Sequence, residues 1–294
     1  MRSRHLVDVG GRAVHVVVHE PDGPTDDDDA DVRPVVLLHQ TPRSHDEYRD
    51  VAALLAAAGR TAYAVDTPGF GASDPPAQPS VASWAAGVAG ALDRLGVGRH
   101  DVIGHHTGGV LGVELAAREP ERVGVLVLSS TPWADDAWRA RPPHGVDVVE
   151  PADDGSHLAA LWQGRQRFYP PGRPDLLERF VRDAVAAGQE TTEAGHRVVR
   201  EYDMPERVER VRAAVGLVSC TADPYAQPHL PRWVERLPDA PVAEVDAGVP
   251  APDEAPEAFA RAVLSLLDRL GGSTPASADG AATTPVGTPT GASW

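Results

Sequence analysis

The chain contains no lysine and no asparagine, Ile103 is its one isoleucine and Cys220 its one cysteine. A single cysteine excludes an intramolecular disulfide and a cysteine-based zinc cluster. Positive charge is scarce too: 27 arginines stand against 43 acidic residues, for a formal net charge of −16. That balance argues against nucleic acid and anionic membrane as partners and suits an enzyme whose substrate is neutral or recruited locally. No apolar run is long enough to span a bilayer, and Met1 to Asp8 holds no apolar signal-type region, so a cytoplasmic protein is expected. The histidines are scattered along the chain, and neither a metal nor another cofactor is expected. A length of 294 residues is enough for one large core. The arginine-only basic set fits a GC-rich bacterial genome.

What is present is a regular alternation of elements. Val14, Val16 and Val18 alternate with His15, Val17 and His19, which predicts a strand, and Gly10-Gly11 predicts the hairpin turn before it. Residues 22–31 form an acidic insert with an unbroken Asp run at 26–29. Adjacent carboxylates without a Gly turn do not make an EF-hand, so a solvated loop is expected. Strands are predicted at 35–39, 61–66 and 123–129, and helices at 46–58, closed by Gly59, and at 81–95. Strands alternating with helices imply a mostly parallel sheet with right-handed crossovers. Residues 132–214 carry only helical periodicity, with Leu158, Leu161, Trp162, Leu176, Leu177, Phe180, Val181, Val198 and Val199 as candidate buried positions. The sheet pattern resumes at 215–220, followed by helix 229–236, strand 242–245 and helix 256–270. A core of 1–131 and 215–270, a helical cap of 132–214 and a disordered tail of 271–294 are therefore expected.

One stretch carries the chemistry. In Asp101-Val102-Ile103-Gly104-His105-His106-Thr107-Gly108-Gly109 an apolar strand runs into a Gly-x-His-x-Gly turn, with a helix expected from near Val110. This layout resembles the nucleophile elbow of the α/β-hydrolase superfamily. Three further stretches are similar to that family, in the family's order. His39-Gln40-Thr41-Pro42 stands where the family has His-Gly-x-Pro. Asp66-Thr67-Pro68-Gly69-Phe70-Gly71-Ala72-Ser73-Asp74 is close to its Asp-x-Pro-Gly-x-Gly-x-Ser turn. Cys220-Thr221-Ala222-Asp223-Pro224 resembles the loop that supplies its acid. The resemblance implies an α/β-hydrolase fold, a mostly parallel sheet flanked by helices with an inserted helical cap.

The resemblance breaks at two catalytic positions. His106 stands at the elbow tip, where the family usually has Ser. The slot of the family's catalytic His holds Val249, and no His follows His229. A Ser hydroxyl needs a base to take its proton; here both are missing, and ordinary serine esterase chemistry is excluded at these positions. An imidazole remains, suited to general acid–base work. The helix after it favours the neutral ring, and a carboxylate at Asp223 acts in the opposite direction. The resemblance makes Asp223 the acid and assigns the oxyanion hole to the backbone N–H groups of Thr41 and Thr107. It also makes His39, Gln40, Arg43, Ser44, Trp133, Trp162, Tyr225 and Val249 candidate pocket residues. Blander roles compete: His39 as a loop brace, His105 as packing, Asp66 and Asp74 as turn-fixing groups, Trp133, Trp162, Phe168 and Tyr169 as core. His157 and His196 are candidate second acids in the cap.

Three functional readings follow. The favoured one is an enzyme acting on a small carbonyl-containing metabolite, with His106 as general acid or base. Lyase, isomerase, dehydratase and cyclase chemistry all fit, and a tailoring step in bacterial secondary metabolism is a setting that suits them. The second is a hydrolase of an ester, lactone or C–C bond with His106 as nucleophile. The third is a non-catalytic ligand-binding protein. The expected partner is a small-molecule substrate, the expected assembly a monomer or homodimer.

Overall fold

Apolar strands that read as continuous runs are buried on both faces, and here they build the centre of an eight-stranded sheet. The computed structural model describes residues 1–22, 32–140 and 149–271. The Asp run at 26–29 and nearly all of the expected tail lie outside the described residues. The hairpin β1 (Arg2–Val9) and β2 (Arg12–His19) turns at Gly10-Gly11. It is followed by β3 (Val35–Leu38), α1 (Arg49–Ala57), β4 (Ala62–Val65), α2 (Val81–Arg94), β5 (His100–His105), α3 (Thr107–Arg118) and β6 (Val123–Ser129). After the helices α4 (Asp136–Arg139), α5 (Ser156–Gln166), α6 (Pro174–Arg200) and α7 (Met204–Val208), the sheet resumes with β7 (Ala214–Cys220). Helix α8 (Leu230–Arg236), β8 (Val242–Val245), α9 (Ala251–Glu254) and α10 (Pro256–Gly271) complete the order.

The strand order is β1-β2-β4-β3-β5-β6-β7-β8. The β1–β2 and β2–β4 pairs are antiparallel, and every pair from β4 to β8 is parallel. This is the alpha/beta hydrolase fold. Helices α1 and α10 close one face over Val35, Leu37, Ile103 and Val127 through Val51, Leu55, Phe259 and Val263. Helices α2 and α3 close the other over Val36, Leu38, Val102 and Leu126 through Trp84, Leu92, Leu111 and Leu115. Strand β5 lies between β3 and β6, so the chain leaves the sheet at His105 in the middle of its carboxyl edge, where ligands of open α/β sheets bind.

Several boundaries differ from expectation for physical reasons. Helix α3 starts at Thr107, not near Val110. Gly108 and Gly109 weaken the helical signal in its first turn, but a Cβ on Gly108 would collide with the Leu38 carbonyl of β3. The glycine thus lets the helix seat directly on the neighbouring strand. Helix α9 is absent from the periodicity because its residues, Ala-Pro-Asp-Glu, carry no apolar stripe.

Of the expected buried cap positions, Leu161, Leu176, Leu177 and Phe180 form an apolar cluster with Tyr169 and Ala184, and Trp162 and Val181 are partly buried against it. Val198 and Val199 join the sheet-side core. Leu158 is instead 42% exposed. Helix α6 breaks at Gly188, which has φ 77° and ψ 164°. Its two halves therefore dock separately. The first carries Asp183, Arg179 and Arg182 to acidic and basic partners on the core. The second brings Gly195 against Thr41 and Phe70. No described helix is long and apolar enough to cross a membrane.

Candidate active site

The elbow is built by backbone first. His106 adopts φ 50° and ψ −117°, a left-handed conformation that costs a non-glycine residue about 1–3 kcal/mol. Two hydrogen bonds hold it there: its N–H donates to the Ser129 carbonyl at 2.9 Å, and its own carbonyl accepts the Gly109 N–H at 2.9 Å. The side chain is thereby lifted off the end of β5 and is 13% exposed.

That imidazole meets Asp223. His106 Nε2 lies 2.7 Å from Asp223 Oδ2, so the two residues named from the sequence are in direct contact. The other carboxylate oxygen, Oδ1, accepts the N–H groups of Tyr225 at 2.9 Å and Ala226 at 3.2 Å. Burial works to raise the pKa of Asp223, but the charge and hydrogen bond of His106 outweigh it and hold the carboxyl below its ordinary value. An ionised carboxylate only accepts, so Nε2 carries a proton and donates. In a neutral ring Nδ1 is then the bare, basic nitrogen. The usual Ser–His–Asp arrangement has the reverse polarity, with the acid on Nδ1 and Nε2 facing the substrate.

His105 plays a structural part. Its Nε2–H donates to the Val249 carbonyl at 2.8 Å, and its Nδ1 accepts from the Ser129 hydroxyl at 2.9 Å. Burial, helped by the neighbouring His106, pushes its pKa down to about 3. Its ring stands edge-on to His106 with centroids 4.6 Å apart. The loop that holds Val249 in place of a catalytic histidine therefore serves, through one carbonyl, to orient the ring behind the elbow.

The expected oxyanion hole needs correction at Thr41. The Thr41 N–H donates to Thr107 Oγ1 at 2.7 Å, so this donor is satisfied inside the protein. Thr107 is the first residue of α3, a position whose N–H has no acceptor in its own helix. The Thr107 N–H thus lacks a helical acceptor, while the Thr41 N–H is taken up by the Thr107 hydroxyl.

Most expected pocket residues belong to the support of the site. His39 is buried, accepts the Thr67 N–H at Nε2 and is bonded through Nδ1 to the Gln40 carbonyl; burial lowers its pKa. Gln40 bonds Glu47 through both its N–H and its amide, and reaches the Val249 carbonyl at 3.4 Å. Ser44 caps the short 3-10 turn before α1. Arg43 is fully buried and pairs with Asp183 of the cap at 2.9 Å and Asp253 at 2.6 Å, because an unpaired guanidinium there would cost too much. Trp133 packs edge-on to Trp233 at 4.8 Å. Trp162 lies in the cap beside a crevice of about 190 Å³ formed with Tyr169, Pro170, Pro171 and Arg173. His157, half-buried on α5, accepts the Ala152 N–H at Nδ1 at 3.1 Å. Tyr225 is joined to the His106–Asp223 pair through its N–H to Asp223, and its ring lies 5.0 Å from that of Phe168.

Phe168 is expected from the sequence as core, and Glu47 carries no expectation. Phe168 is the cap aromatic that comes down beside the acid loop. Glu47, pushed up to about 7 by burial, ties the Gln40 loop to Arg43. The one available sequence signal was the four-residue spacing of Arg43 and Glu47.

With this geometry established, the kinship is direct. The sequence profile of the alpha/beta hydrolase fold family matches residues 33–244, and the chain belongs to that family. It is 30% identical over 203 residues to a 2-hydroxy-6-oxononadienedioate/2-hydroxy-6-oxononatrienedioate hydrolase of Cupriavidus pinatubonensis, covering 60% of this chain and 70% of that one. A 2-hydroxymuconate semialdehyde hydrolase of Pseudomonas putida is 38% identical over 98 residues, covering 32% of this chain and 35% of its own length. The enol-lactonase from Burkholderia xenovorans superposes with a TM-score of 0.72 at 20% identity, over 90% of this chain and all of the other, a likeness of fold.

Two outcomes are expected. Thr107→Val should destabilise the protein by about 1–3 kcal/mol, since it strands the Thr41 N–H, while Thr107→Ser should be near neutral; denaturant unfolding reads both, and a neutral valine variant would mean that the donor is open to water. His105 has a folded pKa below its unfolded value of about 6.5, so the unfolded chain binds the proton first and stability falls as pH drops from there towards 3. Relative to His105→Gln, the wild type should lose up to about 1.4 kcal/mol per pH unit in that window. Parallel stability curves for the two would contradict a neutral, buried His105.

Proposed function

We propose that this enzyme performs acid–base chemistry on a small carbonyl compound, with Nδ1 of His106 as the proton-exchanging atom. The observation that carries the reading is the 2.7 Å contact between His106 Nε2 and Asp223 Oδ2. In the proposed step Nδ1 takes a proton from the carbon beside a carbonyl. The electron pair moves into the carbonyl, and the developing enolate oxygen accepts the Thr107 N–H. Asp223 stabilises the imidazolium that forms, and the ring returns its proton to another atom of the substrate or to a leaving group. Isomerisation and elimination both follow from this sequence without a covalent intermediate. Nδ1 sits nearer the backbone than Nε2, so the substrate must come down onto the elbow for a transfer distance of about 2.6–3.2 Å.

A hydrolytic reading is favoured by one finding, the relatives named as a 2-hydroxymuconate semialdehyde hydrolase and a 2-hydroxy-6-oxononadienedioate/2-hydroxy-6-oxononatrienedioate hydrolase. In it His106 would attack the carbonyl and water would release the acyl-imidazole. The second step lacks a positioned base, because His105 is committed to Ser129 and Val249, and this ranks it below proton transfer.

One experiment separates the two. Enolisable carbonyl compounds are incubated in D2O with the enzyme and followed by NMR for deuterium uptake, while activated esters are quenched rapidly and the intact protein is weighed. Exchange without an adduct is expected, and His106→Ala should slow it by at least roughly 10²-fold. Absence of exchange together with a transient, His106-dependent acyl mass would replace this reading with the hydrolytic one.

A further inference from the structure

A second cluster of chemistry-bearing groups lies off the elbow, where three separate elements meet. His15 comes from β2, His45 from the 3-10 turn before α1, and Asp66 from the end of β4. His15 Nδ1 lies 2.7 Å from Asp66 Oδ2, and His45 Nδ1 lies 2.9 Å from Asp66 Oδ1. One donor atom from each of the three residues falls within 4.8 Å of the others. The two rings stand edge to face with centroids 4.9 Å apart. We propose that His15, His45 and Asp66 form a binding site for one divalent transition-metal ion, distinct from the His106–Asp223 pair.

The donor set defines the class of ion. Two imidazoles and a carboxylate are borderline ligands that suit zinc, cobalt, nickel or copper ions and not the all-oxygen cations magnesium and calcium. The spacing is close to what such an ion needs. Ligand atoms at bonds of about 2.0–2.2 Å sit roughly 3 Å apart along the edges of the coordination shell, and the two N···O separations are already near that. Bringing the imidazole nitrogens, which lie within 4.8 Å of each other, to the roughly 3 Å of a shared coordination shell takes a movement of up to about 2 Å. His45 can supply it, being 17% exposed, while His15 and Asp66 are 9% and 0% exposed.

The carboxylate stays anchored throughout. Its oxygens also accept the backbone N–H groups of His45, at 2.6 Å, and Ala72, at 2.9 Å. These would become the outer-shell bonds that fix a metal-binding carboxylate. To coordinate, each ring must present Nδ1 as a lone pair, so the proton it shares with Asp66 has to leave that nitrogen. Bound metal would cross-link three elements next to Thr67, whose N–H holds His39 and with it the Gln40–Thr41 loop.

The spacing rule for ligands along one helix could not find this site. His15 and His19 stand four residues apart, but on a strand that separates them by about 13 Å; the partners of His15 are 30 and 51 residues away, at His45 and Asp66.

The test uses tag-free, chelator-treated full-length protein. Zinc is titrated calorimetrically, and cobalt(II) is followed by its visible absorption, which reports coordination by nitrogen and oxygen. One ion per chain and a raised Tm are expected. His15→Ala and His45→Ala should each weaken binding by at least about tenfold, while His106→Ala should leave it unchanged. Circular dichroism checks folding, and His45→Gln, which keeps a donor to the carboxylate, replaces His45→Ala if the latter fails to fold. No saturable binding to the folded wild type would overturn the proposal and leave a hydrogen-bonded trio, as would binding that survives both substitutions.

Discussion

A single hydrogen bond between an elbow imidazole and a buried carboxylate sets the polarity of everything around it. Because Asp223 takes the Nε2 proton of His106, the ring cannot present that nitrogen to a substrate. The nitrogen left over is Nδ1, close to the main chain, which the proposed chemistry uses. The carboxylate can play this part because two backbone N–H groups already hold its other oxygen. The backbone conformation of His106 follows from the same need. A left-handed residue at the tip, fixed by bonds to Ser129 and Gly109, aims the side chain across to the loop after β7.

Around this pair, buried ion pairs tie the cap to the core. Arg43 joins the loop after β3 to the cap through Asp183 and to α9 through Asp253, and Arg179 reaches Asp253 from the cap as well. Buried pairs of this kind add little net stability, since desolvation offsets much of their attraction, but breaking one partner away is costly. Their consequence is positional: the first half of α6 is held to the core on one side of the Gly188 break, and the second half rests on Thr41 and Phe70 on the other.

The fold was legible because its signals are local. Strands 123–129 and 242–245 were read to the residue, and the ordered motifs around His39, Asp66, His106 and Asp223 located the carboxyl edge of the sheet. The pairing of His106 with Asp223, 117 residues apart, was also legible, since both positions match motifs with fixed places in the family fold. The same motifs did not disclose the bond that occupies the Thr41 N–H. A motif supplies the backbone N–H, but whether that N–H is spare depends on the side chain of Thr107, 66 residues on. The internal partners of His39, Gln40 and Arg43 were hidden for a similar reason. Their partners Thr67, Glu47 and Asp183 lie on other elements, and nothing in a linear pattern tells a buried network from an exposed rim. The trio of His15, His45 and Asp66 was invisible on the same grounds.

The most direct test of the account is the protonation of the His106 ring itself, read by nitrogen-15 NMR of protein with labelled histidine, with the resonance assigned by its loss in His106→Ala. At neutral pH the account predicts a proton on Nε2 and a bare Nδ1, and in Asp223→Asn a loss of that fixed preference. A ring protonated at Nδ1 alone, with Nε2 bare, would contradict it.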